Sequence, residues 1–145
     1  MKAIVVSGTP GTGKTMIAKA LARKKNYSYV DVNKLIRELK LYDSYDRKRK
    51  SYVVDTKKLN KFLIRLIGES KKKLVIDSHL SHYLPKKYVE FCIITKCNLK
   101  KLKKRLEKRG YSKLKVRENL DSEIFDICLN EAKELGHKIK TIKTS

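Results

Sequence analysis

The sequence predicts an α/β fold, a central parallel sheet flanked by helices. Two observations carry this. Apolar, β-branched runs alternate along the chain with segments of helical period, the order that builds βαβ units. In addition, "GTPGTGKT" at residues 8–15 stands between the first apolar run, "AIVVS", and the first helical segment, "MIAKALARKK". That strand-loop-helix setting belongs to a phosphate-binding loop.

The elements follow in order. "KAIVVS" reads as a buried strand, "KTMIAKALARKK" as a helix and "YSYV" as a second strand. Asp31 is placed to N-cap the helix "VNKLIRELK". Residues 41–55, "LYDSYDRKRKSYVVD", have no clean period. Leu59, Phe62, Leu63, Leu66 and Ile67 then recur at helical spacing, with Gly68 as the expected end. "KLVID" is an apolar strand ending in Asp77, and "YVEFCIIT" is another. Asn98 opens "LKKLKKRLEKRG", with Leu99, Leu102 and Leu106 on one face and Gly110 past its end. After a polar connector, "RENLDSEIFDICLNEAKELG" reads as a helix with Leu120, Ile124, Ile127 and Leu135 toward the core. "HKIKTIK" alternates like a final edge strand. No repeat or linker divides the chain, so one domain over residues 1–145 is expected.

Composition narrows the function classes. A chain of 145 residues with 41% hydrophobic residues and two prolines folds as a globular domain and not as a disordered tail. Cys92, Cys97 and Cys128 are odd in number and lack C-x-x-C spacing, which predicts packed, reduced thiols and no zinc site. "MKAIVVSGTPG" is interrupted too soon for a signal peptide, and no apolar run is long enough to span a bilayer. A cytoplasmic location with no membrane partner is the expectation. Lys and Arg number 37 against 15 acids, a formal net charge of +22. One reading is a polyanionic neighbour, nucleic acid or a ribonucleoprotein. The other is a lysine-rich surface of the heat-adapted kind, in which Glu normally rises alongside Lys; here it does not.

The pattern G-x-x-x-x-G-K-[ST] is met by Gly8, Gly13, Lys14 and Thr15. Glycine lets successive backbone N–H groups turn inward at a triphosphate, and the following helix adds its positive end. Pro10, Gly11 and Thr12 complete the loop, and Met16 follows it; all are assigned to ATP binding. Lys14 reaches the β- and γ-phosphates, and the Thr15 hydroxyl is a Mg²⁺ ligand. Such a loop needs a carboxylate at the end of a neighbouring apolar strand. Asp77 in "LVIDSH" is that candidate, with a capping or turn aspartate as the alternative. His79, two residues on, either orients a water or is structural. Arg105 and Arg109 stand four apart on one helix face and suit phosphate oxygens. The lysines at 100–104 read as a solvated face.

The stretches "GTPGTGKT", "LIRELKLYDSYD", "VIDSH" and "RLEKRGYSKLKVRENLDSEIF", spread to about residue 132, resemble the adenylate kinase isoenzyme 6 family. These are small atypical nucleoside-monophosphate kinases of archaea and eukaryotes whose members also serve as ATPases in small ribosomal subunit maturation. The resemblance implies a P-loop nucleoside-monophosphate-kinase fold, with a monophosphate lobe over about residues 31–56 and a short lid over about 109–117. It implies Mg-dependent transfer from ATP to AMP, with Arg37 holding AMP, Asp77 and His79 forming a D-x-H element, and Arg105 and Arg109 flanking ATP. Asn119 falls in the "EN" step that leaves the lid. A small-subunit ribosomal protein or rRNA is the implied macromolecular partner. The alternative is an ATP-switched assembly factor with incidental kinase activity, which the basic runs at 47–50 and 71–73 favour. Two departures stand out: "RKRK" occupies 47–50 where the family is often acidic, and the sequence ends at Ser145 where relatives commonly continue into a closing helix.

Overall fold

The computed structural model describes residues 1–144. Five parallel strands form the sheet: β1 (Ala3–Ser7), β2 (Ser28–Asp31), β5 (Leu74–Asp77), β6 (Val89–Lys96) and β7 (Ile139–Lys143), in the order β2-β5-β1-β6-β7. All five are the runs expected from the sequence, and β7 lies at an edge. The buried strand β1 shows why such a run is apolar throughout. Ala3 and Val5 face one layer with Leu59, Leu63 and Ala132, whereas Ile4 and Val6 face the other with Ala18 and Ala22. Those two alanines belong to α1 (Lys14–Lys25) and let its axis lie close to the sheet.

Asp31 ends β2 and caps α2 (Val32–Glu38), accepting from Lys34 N at 3.2 Å. Asp55 caps α3 (Thr56–Glu69) in the same way. Asn98 caps α4 (Leu99–Lys108), and Gly110 follows with φ +80.

Four expectations need correction. Residues 41–55 hold a small antiparallel hairpin, β3 (Ser44–Asp46) with β4 (Ser51–Val53), whose turn is residues 47–50. Its strands are too short for alternation to register, and Tyr42, Tyr45 and Tyr52 pack against one another at centroid distances of 4.5 and 5.1 Å. Gly68 does not end its helix; it does not take the positive φ of a terminating glycine, and α3 runs on to Glu69. Leu99 is 42% exposed, since the first turn of α4 overhangs the cluster that buries Leu102 and Leu106.

The fourth correction is the largest. The polar connector is already helical, and α5 (Lys113–Ile124) is separated from α6 (Ile127–Glu134). Lys96 meets the break from across the fold. It pairs with Glu123 and Asp126 and shares the Glu123 carbonyl with Asp126 N, an oxygen that a continuous helix would use for Ile127. Asp126 then takes a left-handed conformation, φ 51, which Asp tolerates better than most residues. The new phase buries Val116, Glu123, Cys128 and Ala132, and leaves Ile124, Ile127 and Leu135 at least 40% exposed. Among the described residues, no helix is long and apolar enough to cross a membrane.

Candidate active site

The site is built at the carboxyl ends of β1 and β5, adjacent parallel strands with Val6 opposite Asp77. The loop after β1 takes positive φ at Gly8, Gly11 and Gly13. Only glycine fits at position 8, where a Cβ would stand 2.5 Å from Thr95 Oγ1 and 2.7 Å from its carbonyl oxygen. Thr12 is fully buried, bonded to the Thr9 carbonyl (2.6 Å) and Thr95 Oγ1 (2.6 Å), so its side chain shapes the loop from behind. Pro10 is half-buried and Met16 is 66% exposed on the first turn of α1.

Lys14 curls back over this loop, donating to the Gly8 (3.1 Å) and Thr9 (3.3 Å) carbonyls. Burial lowers its pKa to about 8, against the opposing pull of Asp77, Cys128 and Glu123. Thr15 Oγ1 donates to Asp77 Oδ2 at 2.8 Å, and the Tyr29 hydroxyl donates to the same oxygen at 2.6 Å. Tyr29 is held well above its ordinary pKa by burial and then by that carboxylate, so it remains a donor. His79 makes no hydrogen bond among the described residues. Burial, then the charges of Lys14, His82 and Lys115, lower it to about 4, which leaves a neutral imidazole close to Lys14.

The arginines divide. Arg109 is exposed, yet its charge reaches Lys14 and helps lower that lysine. Arg105 is engaged within the protein: it donates to the Gly11 carbonyl (3.2 Å) and to Thr144 Oγ1 (3.2 Å) and O (3.0 Å). Arg37 is exposed in the last turn of α2 and has no hydrogen bond among the described residues. Asn119 lies inside α5 and bonds the Lys115 carbonyl at 2.7 Å.

Two groups at the site escape a sequence reading. Tyr29 lies in an ordinary strand with no motif around it. Glu123, 6% exposed on α5, accepts from Thr9 Oγ1 (3.1 Å), Cys97 N (2.9 Å) and Lys96 Nζ (3.1 Å), and so clamps the phosphate loop to β6. Their partners are at least 26 positions distant in sequence, and no local signal marks either residue.

A glycine-rich loop leading from β1 into α1, facing a strand-end aspartate on a five-stranded parallel sheet, defines the fold of the P-loop kinases. Solved structures carry the same fold: shikimate kinase from Acinetobacter baumannii matches with TM-score 0.68 at 16% identity, over 100% of this chain and 84% of that one. A gluconokinase from Sinorhizobium meliloti matches with TM-score 0.58 at 13% identity, over 99% and 83%. Residues 4–126 match a family model described as an AAA domain.

Sequence relatives take the assignment further. A Methanocaldococcus jannaschii protein bearing an adenylate kinase name is 41% identical over 95% of this chain and 76% of its own length. The Caenorhabditis elegans adenylate kinase isoenzyme 6 homolog is 33% identical over 90% of this chain and 72% of its own. The chain belongs to the adenylate kinase isoenzyme 6 family and is a nucleotide kinase.

Proposed function

We propose that the protein transfers the γ-phosphoryl group of ATP to AMP, giving two ADP, in a Mg²⁺-dependent reaction. The observation that carries this reading is the meeting of Thr15 and Asp77 at 2.8 Å beside Lys14. A hydroxyl and a carboxylate are hard oxygen donors of the kind Mg²⁺ takes. Thr15 and Asp77 would hold the ion, which would supply charge neutralisation for the phosphates of ATP.

The chain's own residues then do positioning and electrostatic work. Loop amides and the start of α1 hold the phosphates of ATP. Lys14 leaves the Gly8 and Thr9 carbonyls for the β- and γ-oxygens. Arg109 reaches over from the end of α4, beside the turn at residues 110–112 within the proposed lid. Arg105 acts on ATP through the loop, because its Nη1 donates to the Gly11 carbonyl while its Nη2 donates to Thr144 O. Arg37 holds the AMP phosphate within a monophosphate lobe over about residues 31–56. The acceptor arrives as an oriented anion, so no strong base is required. His79, neutral and unpartnered, orients water when AMP is absent, which makes the protein a slow ATPase. Buried, free cysteines support a reducing, cytoplasmic setting.

A second reading is that ATP turnover drives assembly of the small ribosomal subunit, with rRNA or a ribosomal protein as partner. The hairpin turn supports it: Arg49 pairs with Asp46 and Glu118, while Arg47, Lys48 and Lys50 are exposed and carry no ion pair among the described residues. The two readings separate by experiment. ADP formation stimulated by AMP supports the kinase, and ATP hydrolysis stimulated only by rRNA or ribosomal protein supports the assembly factor.

A further inference from the structure

Behind the site lies a buried polar chain that the reaction above does not use. His82, 1% exposed, sits in the 3₁₀ turn Ser81–Tyr83. Its Nδ1 is 2.7 Å from Ser7 Oγ and its Nε2 is 3.1 Å from Glu131 Oε1. The other oxygen of Glu131 accepts from the Tyr83 hydroxyl at 2.6 Å, and the His82 carbonyl lies 2.8 Å from His137 Nε2. The end of β1, the turn after β5 and helix α6 are thereby joined through one imidazole.

These are the groups of a nucleophilic triad, but Ser7 is fully buried, so no substrate reaches its hydroxyl. The chain has a different use. A carboxylate only accepts, so Nε2 carries the proton and Nδ1 accepts from Ser7. With both bonds assigned a direction, the ring cannot turn without losing them.

Position gives this arrangement its consequence. Ser7 directly precedes Gly8 of the phosphate loop, and His79 lies three residues before His82. The intervening segment is pinned to the same strand: Ser78 N and Ser81 Oγ both donate to the Val6 carbonyl, at 3.1 and 3.2 Å. On its other side the His82–Glu131 and Tyr83–Glu131 contacts hold its side chains to α6, while Asn60 Nδ2 and His137 Nε2 meet the Tyr83 and His82 carbonyls. We propose that His82 and Glu131 are positioning residues for phosphoryl transfer, bracing Ser78 and His79 at a fixed distance from the phosphate loop. Loosening the brace displaces His79 and the backbone just beyond Asp77, while the sheet keeps the loop amides, Lys14 and the end of β5 in place. It therefore lowers kcat and spares ATP binding, since a misplacement of about 1 Å costs on the order of 100-fold in rate.

This rests on the phosphoryl-transfer reading, and one set of measurements separates the two. Glu131 is partly exposed, so Glu131→Ala is expected to fold, with circular dichroism and Tm as the check. It should lower kcat about tenfold or more with the KM for ATP within about twofold. Glu131→Gln, which keeps an acceptor for Nε2–H, should recover most of the rate. Nitrogen-15 spectra of the imidazoles should show the Nε2–H tautomer for His82 in the unmodified protein and lose that preference in Glu131→Ala. An unchanged kcat in folded Glu131→Ala, a glutamine variant no better than alanine, KM rising in step with any loss of kcat, or an Nδ1–H tautomer would each overturn the brace. An unmodified protein that makes no ADP from AMP overturns the phosphoryl-transfer reading itself, and the brace with it.

Discussion

Thr15 Oγ1 and Asp77 Oδ2 meet at 2.8 Å although 62 positions separate them in the chain. The parallel register of β1 with β5 makes this contact, since Val6 stands opposite Asp77 and the loop between Val6 and Thr15 folds back over the strand ends. Asp77→Asn keeps an acceptor for Thr15 and Tyr29, so the fold should survive with Tm nearly unchanged. The rate of ADP formation should fall by about 100-fold or more, the usual loss for one group aimed at transition-state charge. Near-normal rates at saturating Mg²⁺ would remove Asp77 from the site.

Lys14 predicts a pH dependence. Its folded pKa, about 8, lies below the ordinary lysine value of 10.5 because burial disfavours the ammonium. Between those two pH values the unfolded chain binds more protons, so the stability of the free protein rises with pH across that window. ATP needs the ammonium form, and its affinity should weaken as pH rises through about 8. Calorimetric titration with ATP should show roughly tenfold weaker binding at pH 9 than at pH 7, a one-unit excess of pH over pKa. A flat affinity across that range contradicts the assignment.

Arg37 and His79 separate transfer from hydrolysis. Arg37→Ala should raise the apparent requirement for AMP strongly and leave AMP-independent hydrolysis nearly unchanged. His79→Ala should depress hydrolysis at least as much as transfer, because a neutral water must be oriented whereas AMP carries its own charge. With its pKa lowered to about 4 by burial first, His79 contributes no pH-dependent limb between about pH 5 and 9. Equal losses in both reactions for Arg37→Ala would mean that this arginine is structural or binds ATP.

Arg105 has a cost in stability as well as rate. Its guanidinium ties α4 to Gly11 and to Thr144 after β7. Arg105→Ala leaves the buried Gly11 carbonyl and the part-buried Thr144 without this donor and should destabilise the fold by about 1–3 kcal/mol in denaturant titration. Arg105→Lys should not restore it, because a single ammonium does not reproduce the fork. An unchanged midpoint with a lost rate would instead return Arg105 to direct contact with ATP.

Legibility in the sequence follows the range of the forces. The strands, α1 and the phosphate loop depend on residues a few positions apart, and apolar runs, Gly8, Gly13 and Lys14 mark them. Asp77 was legible because it ends an apolar strand. The α5–α6 break was not, since the cation that meets it, Lys96, lies on β6, 27 positions before Glu123. Nor were Tyr29, Glu123 or the Ser7–His82–Glu131 chain, whose partners meet only when the sheet forms. The 44–53 hairpin was missed for a local reason, strands of three residues too short to show a period.

The most direct measurement is the stoichiometry of the reaction with purified protein, ATP, AMP and Mg²⁺. The account predicts two ADP formed for each ATP consumed, one of them from labelled AMP, with little inorganic phosphate. Both reactions should disappear in a correctly folded Lys14→Ala variant. Phosphate released at the same rate with or without AMP, with no label passing from AMP into ADP, would contradict it.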